Sequence, residues 1–226
     1  YMVYRALVRA KVTAIGAAQH HHGDASLEAA LLGYVRRALA LSRHTPPRLV
    51  ILCGLSGSGK TSLATALSER LPLIHLRSDV ERKRLFGLPP LARPAAAPGI
   101  GIYSPDATER TYRRLLELAR GIVEAGSGVL VDATFLSAAR RTAFATLARG
   151  LGCRFDILAL DAPPEVLRRR VAQRQAAGGD ASDADLAVLE RQLATREPLS
   201  PLERERAILL DTRVAQALDA LVQRLS

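Results

Sequence analysis

Five short apolar runs mark the chain from Leu49 onward: Leu49 to Cys53, Leu73 to Leu76, Val129 to Val131, Cys153 to Leu160 and Ala207 to Leu210. Most are continuous and not alternating, the pattern of strands whose sheet is covered by helices on both faces. The stretches between them carry apolar residues at helical spacing. Between the second and third runs, Tyr112, Leu115, Leu116, Ala119, Ile122 and Val123 form one stripe, opened by Ser104-Pro105 and closed by Gly126. Ser182-Asp183-Ala184-Asp185 fits a capping pattern ahead of Leu186, Leu189 and Leu193. Strand and helix in alternation predict an α/β fold: a five-stranded, mainly parallel sheet with right-handed crossovers and helices on both faces.

Two helical patterns precede this core. Ala6, Leu7, Ala10, Ala14 and Ala17 recur at helical spacing between Tyr4 and Ala18, and Leu27 to Leu41 is a second amphipathic stretch with Asp24 as N-cap. His20-His21-His22 between them reads as a solvated turn, because consecutive side chains diverge and no carboxylate or cysteine stands at ligand spacing. Thr45-Pro46-Pro47 breaks the pattern, since proline excludes the helical conformation from the residue before it. Residues 1–44 are thus expected to form a helical extension and residues 45–226 the main domain. Tyr1 in place of Met, followed by a helix with nothing before it to pack against, reads as the start of a fragment. The irregular stretch from Leu88 to Tyr103, with four prolines and two glycines, is long for a connection and is expected to help build a substrate pocket.

At 226 residues and 48% hydrophobic, the chain can bury one sizeable core. It has no run of eighteen apolar residues and no ordered secretory signal, so a soluble, cytoplasmic protein is expected. Cys53 and Cys153 lie inside apolar runs and read as small core residues. The net charge of +10 comes from 29 arginines against 3 lysines in an alanine-rich chain, a bias of composition. It permits nucleic acid as a partner, but no basic run is interleaved with aromatics, which make up 4% of the chain.

The chemistry begins directly after the first strand. Gly54-Leu55-Ser56-Gly57-Ser58-Gly59-Lys60-Thr61 matches G-x-x-x-x-G-K-[ST] between an apolar strand and an amphipathic helix, Thr61 to Leu71. The glycines let the backbone wrap round phosphate oxygens with its N–H groups turned inward. Lys60 supplies a positive charge for the β- and γ-phosphates and Thr61 a hydroxyl for Mg²⁺, while the helix N-terminus adds its partial charge. Ser62 either adds a second hydroxyl or simply opens the helix. ATP and Mg²⁺ are the cofactors this loop implies.

The other strand ends narrow the class. Val129-Leu130-Val131-Asp132 is a strand ending in a carboxylate suited to Mg²⁺, but Ala133 follows where a motor ATPase would place a water-activating glutamate. The chain has no asparagine, so the Asn-Lys-x-Asp signature of GTPases is absent. A kinase needs a carboxylate to take the acceptor's proton and cations to neutralise the transferred phosphoryl. Asp79, after the second strand, is the candidate base; its alternative is to cap the helix Val80 to Leu85. Arg77, Arg82, Lys83 and Arg84 around it are either a solvated face or anchors for an anionic part of the acceptor. The solvated reading is preferred for Lys83 and Arg84. Pro163-Pro164 opens a helix on which Arg170 and Arg174 share a face, and Gly178-Gly179 ends it. A hinged lid over ATP, about residues 163–198, is expected to bring these arginines to the phosphates; an ordinary surface helix is the alternative.

In this order the motifs resemble a family of bacterial P-loop kinases with a GLSGSGKT-type loop, Arg-Ser-Asp-x-x-Arg-Lys, Asp-Ala-Thr-Phe, and Arg-x-x-x-Arg leading into Asp-Ala-Ser-Asp-Ala. Here these are Arg77 to Lys83, Asp132 to Phe135, Arg170 to Arg174 and Asp180 to Ala184. The resemblance implies an adenylate-kinase-like core with a helical lid, ATP and Mg²⁺, and relatives among polynucleotide 5′-kinases, zeta-type toxin kinases and antibiotic kinases. It implies that Asp79 is the base, that the lid arginines clamp phosphates, and that Thr134 faces the acceptor. Members often carry an aminoglycoside-phosphotransferase-like domain upstream, and Tyr4 to Val12 looks like the tail of one. The expected activity is transfer of the γ-phosphate of ATP to a hydroxyl of a small molecule. The alternatives are a regulatory ATP-binding module of a two-domain protein and a nucleic-acid 5′-hydroxyl kinase.

Overall fold

Between Leu49 and Leu52 the run Arg48–Cys53 has no polar side chain, and it forms β1, the central strand of a five-stranded sheet. The computed structural model describes residues 2–19, 25–42, 46–92, 101–177, 182–213 and 218–226. β2 (Leu73–Arg77), β3 (Gly128–Asp132), β4 (Arg154–Asp161) and β5 (Ile208–Asp211) complete the sheet in the order β2-β3-β1-β4-β5. Every pairing is parallel. Each strand of the sequence reading is present, displaced by a residue or two.

The absence of alternation in β1 has a direct cause. Leu49 and Ile51 face one layer, with Val129, Val131, Tyr112, Leu115, Phe144 and Leu147, while Val50 and Leu52 face another, with Leu63, Leu67, Leu130, Leu158 and Leu221. The first layer is built by α5 (Pro105–Glu124) and α6 (Ala138–Gly150), the second by α3 (Lys60–Arg70) and α10 (Leu218–Leu225). Both faces of the strand are buried, so both must be apolar. A third, smaller cluster joins Leu55 to Leu167 and Val171 of α7 (Pro164–Ala177) and Leu189 of α8 (Leu186–Thr195), which together form the predicted lid region.

α4 (Ser78–Leu85) follows β2 without a break, and its N-cap is Arg77 with no side-chain cap bond. Asp79 therefore sits inside the first turn and does not cap. Ser104 caps α5 as its sequence indicates, accepting from the Ala107 N–H. Asp185, the last residue of its capping pattern, caps α8. α9 (Pro201–Arg206) starts with a capping box between Ser200 and Glu203. A 3-10 turn at Gly101–Tyr103 ends the proline-rich connection, of which residues 93–100 lie outside the described residues.

The chain divides into two compact units, Tyr1–Thr45 and Pro46–Ser226. In the first, α1 (Met2–Gln19) packs on α2 (Ala25–Ser42), with Ala6, Ala10 and Ala38 buried. Leu7, expected in the buried stripe, is exposed, because the small alanines are what let the two helices approach. Asp24 and the histidine run lie outside the described residues. Cys53 and Cys153 are free and half-buried at the edge of the core. Among the described residues no helix is long and apolar enough to cross a membrane.

Candidate functional site

The loop after β1 has three glycines that no other residue would replace for the same reason. Gly54 donates its N–H to the Thr134 carbonyl at 3.1 Å, and a Cβ there would lie 2.6 Å from the Leu160 carbonyl oxygen. Gly57 has φ +81° and a Cβ would meet the Leu167 carbonyl at 2.9 Å, while Gly59 has φ +88° in open space. So Gly54 is fixed by crowding, Gly59 by conformation and Gly57 by both. Lys60, the first residue of α3, turns back across the loop and donates to the Leu55 carbonyl at 2.8 Å. Burial lowers the pKa of its ammonium, against the opposing pull of Asp132 and Asp79. The Ser56 N–H donates to Gln192 Oε1 of α8 at 2.9 Å, so α8 touches the loop directly.

Next to the loop, the Thr61 hydroxyl donates to Asp132 Oδ2 at 2.6 Å, and His75 Nε2 stands 3.4 Å from the same oxygen. Parallel register explains this meeting: Asp132 ends β3 beside both Leu52 of β1 and Arg77 of β2. Burial raises the Asp132 pKa, but the His75 bond, the Lys60 charge and the Thr61 bond together outweigh it and hold the carboxyl below its ordinary value. An ionised carboxylate beside a hydroxyl is a donor set suited to a hard cation.

Asp79 shares a cleft of about 500 Å³ with Lys60, Thr61, Asp132, Arg170 and Arg174. Burial raises its pKa; Arg82 opposes this, Asp132 adds to it, and a Ser182 hydrogen bond and Lys60 lower it in turn. The net direction is upward. Arg82, 8% exposed, donates to the Ile102 carbonyl at 2.8 Å and the Thr108 hydroxyl at 3.2 Å. Lys83 does not belong to the solvated face expected for it. It is fully buried, with Nζ 3.0 Å from Asp183 Oδ2, which also accepts from the Tyr103 hydroxyl. Arg84 is exposed and ion-pairs with Glu81.

From α7, Arg170 donates to the Thr212 hydroxyl at 2.9 Å and carbonyl at 2.6 Å and approaches the Gly57 carbonyl at 3.5 Å. Arg174, one turn on, donates to the Ala184 carbonyl at 2.7 Å. Both line the cleft, so the shared face is turned inward. Arg168 is exposed and pairs with Glu190 of α8 at 2.6 Å.

The structure thus brings together Ser56, Gly57, Gly59, Lys60, Thr61, Ser62, Asp79, Arg82, Asp132, Thr134, Arg170 and Arg174 around one cleft. Gly54 and Ser58, in the same loop, do not line the cleft. Arg77 does not line the cleft, because it caps α4 at the end of β2. Sequence reasoning missed four groups. Arg140, at the start of α6, lines the cleft with its guanidinium 4.3 Å from the centre of the Tyr112 ring. Gln192, Tyr103 and Asp183 are the others. Phe135 is also informative: its φ of +48° turns the chain after Thr134, held by the Tyr112 hydroxyl on its N–H and by Arg141 and Cys53 on its carbonyl. The sequence reading takes Asp132 to Phe135 as a motif and does not mark that turn.

The profile of the AAA_33 family, an AAA domain, matches residues 49–199, two-thirds of the chain. The chain belongs to the AAA_33 family. The AAA_33 match covers the loop, Asp79, Asp132 and the α7 and α8 arginines. An uncharacterized protein of Mycobacterium tuberculosis is 26% identical over 194 residues, 86% of this chain and 38% of that protein, so the chain spans well under half of this relative. A sugar kinase of Janibacter sp. HTCC2649 is 26% identical with a TM-score of 0.55, covering 80% of this chain and 92% of the other. A gluconokinase of Sinorhizobium meliloti 1021 shares the fold at 23% identity and TM-score 0.51, over 80% and 90% of the two chains. The sugar kinase and the gluconokinase share the fold of this chain, and the AAA_33 match takes in its phosphate-binding loop.

Proposed function

We propose that this chain transfers the γ-phosphoryl group of ATP to a hydroxyl of a polyhydroxylated small molecule. The observation that carries the reading is a half-buried carboxylate, Asp79, in one cleft with a complete phosphate loop and two inward arginines. The likeness to a sugar kinase supports a polyol acceptor. Asp79 takes the proton of the attacking hydroxyl; that oxygen bonds to the γ-phosphorus as the bond from the γ-phosphorus to the bridging oxygen breaks, and ADP leaves. Lys60 and the loop N–H groups neutralise the β- and γ-phosphates, and Arg170 and Arg174 face the charge that develops during transfer. Thr61 Oγ1 and Asp132 Oδ2 would hold Mg²⁺, which when bound supplies charge neutralisation on the phosphate oxygens.

The raised pKa of Asp79 suits this role, since a carboxylate of higher pKa is a stronger base. The test is transfer of labelled phosphate from ATP to a metabolite extract. Asp79→Asn is expected to lower turnover roughly 100- to 10,000-fold with ATP affinity retained. Equal turnover by the two proteins would remove Asp79 from the mechanism.

A further inference from the structure

The sheet order separates the two substrates. β1 carries the phosphate loop, and the residues leading from β4 and β5 supply Arg170 and Thr212 on one side of it. β2, β3 and the helices after them supply Asp79, Arg82, Thr108, Thr134 and Arg140 on the other, which is the side left for the acceptor. Two guanidinium groups stand there. Arg82 is 92% buried by its 8% exposure, yet its Nε has no hydrogen-bond partner. Its Nη1 donates to Ile102 and Thr108, so the guanidinium lines the cleft only partly satisfied by the chain itself.

Arg140 is held differently. Its guanidinium lies 4.3 Å from the centre of the Tyr112 ring, and Tyr112 is itself fixed by its hydroxyl accepting the Phe135 N–H at 3.1 Å. Stacking orients the guanidinium plane but leaves its N–H edges to donate elsewhere. Among the described residues no carboxylate pairs with it. Nearby Lys83 answers Asp183, and Asp132 is answered by Thr61, His75 and Lys60, which leaves Asp79 facing Arg82 and Arg140 on this side of the cleft.

Resting on the phosphotransferase reading, we infer that the acceptor is an anionic hydroxyl compound whose carboxylate or phosphate group is bound by Arg82 and Arg140, with its hydroxyl presented to Asp79. Planar guanidinium groups match either anion through paired hydrogen bonds. Arg140 is a binding residue chosen for acceptor charge, and the ATP side of the cleft is independent of it.

The experiment passes a small-molecule extract over an anion-exchange resin and assays the full chain with labelled ATP and Mg²⁺ on the flow-through and the salt eluate. The acceptor is expected in the eluate. Phosphatase treatment of the eluate before assay separates the sources: a phosphorylated acceptor is changed and a carboxylate survives. Arg140→Gln should raise KM for the eluted acceptor roughly 10- to 100-fold with KM for ATP unchanged, and Arg140→Lys should recover only part of the loss. Transfer to the flow-through, unaffected by Arg140→Gln, overturns the proposal and leaves the kinase reading standing. Transfer to neither fraction counts against the kinase reading, and the anion site is then read directly. The chain loaded with Mg²⁺ and a non-hydrolysable ATP analogue is titrated with inorganic phosphate. Binding that weakens in Arg140→Gln supports the site, and no binding overturns it.

Discussion

Asp79 and Asp132 lie in one cleft and are driven in opposite directions. Burial pushes Asp79 up, so the folded chain holds its proton more tightly than the unfolded chain does. Stability therefore falls as pH rises from the unfolded carboxyl range through the raised value. Asp79→Asn should raise Tm by about 2–4 °C at pH above that raised value while lowering transfer roughly 100- to 10,000-fold, a combination readable by calorimetry beside the activity assay. The acid limb of kcat/KM should lie above the ordinary aspartate range for the same reason. Asp132, held low by His75, Lys60 and Thr61 against its burial, contributes stability above the unfolded value that is lost as pH falls through the lowered one. A third residue acts only on stability. Arg141, 1% exposed, binds both oxygens of Glu203 and the carbonyls of Phe135, Glu197 and Pro198. Arg141→Ala leaves these acceptors unanswered and should cost about 3–5 kcal/mol in urea unfolding.

At the scale of elements, α4 and the segment before α8 are joined through polar side chains. Lys83 Nζ reaches Asp183 Oδ2 at 3.0 Å, Tyr103 donates to the same carboxylate, and Ser182 beside it bonds to Asp79. Arg174 secures the Ala184 carbonyl from the other side. Acid and base side chains far apart in sequence thus tie residues 182–185 over the cleft. Lys83→Met keeps the length of the buried stem but leaves Asp183 without its cation. Faster amide exchange at residues 182–188 is expected, with exchange in β1 and β3 unchanged; equal exchange throughout would show that this contact does not hold the segment.

At the scale of the whole molecule, Pro46–Ser226 contains the sheet, both layers of helices and every residue of the cleft. Among the described residues, the clusters on both faces of β1 are built from residues of this unit. A chain starting at Pro46 is therefore expected to unfold in one cooperative transition and to bind ATP with the affinity of the longer chain. Added Mg²⁺ and ATP at about 100 times Kd should stabilise both chains by about 2.7 kcal/mol. A shorter chain that fails to fold would show that the first unit contributes structurally.

Where neighbours in sequence decide the outcome, the sequence alone was enough. Gly57 and Gly59 announce their left-handed backbone, the unbroken run Leu49 to Leu52 announces a strand buried on both faces, and Ser104-Pro105 announces a helix start. Asp79 was legible because it follows directly on a strand end. Arg140 and Lys83 were not. In a chain with 29 arginines another basic residue carries no local signal, and a lysine among Arg82 and Arg84 looks solvated. What distinguishes them is the partner: Tyr112 lies 28 residues from Arg140 and Asp183 lies 100 from Lys83, by their positions in the chain. Backbone geometry and apolar periodicity are properties of short segments and can be read from them. The pairing of a charge depends on which distant segment the parallel crossovers bring beside it, and only the folded chain decides that.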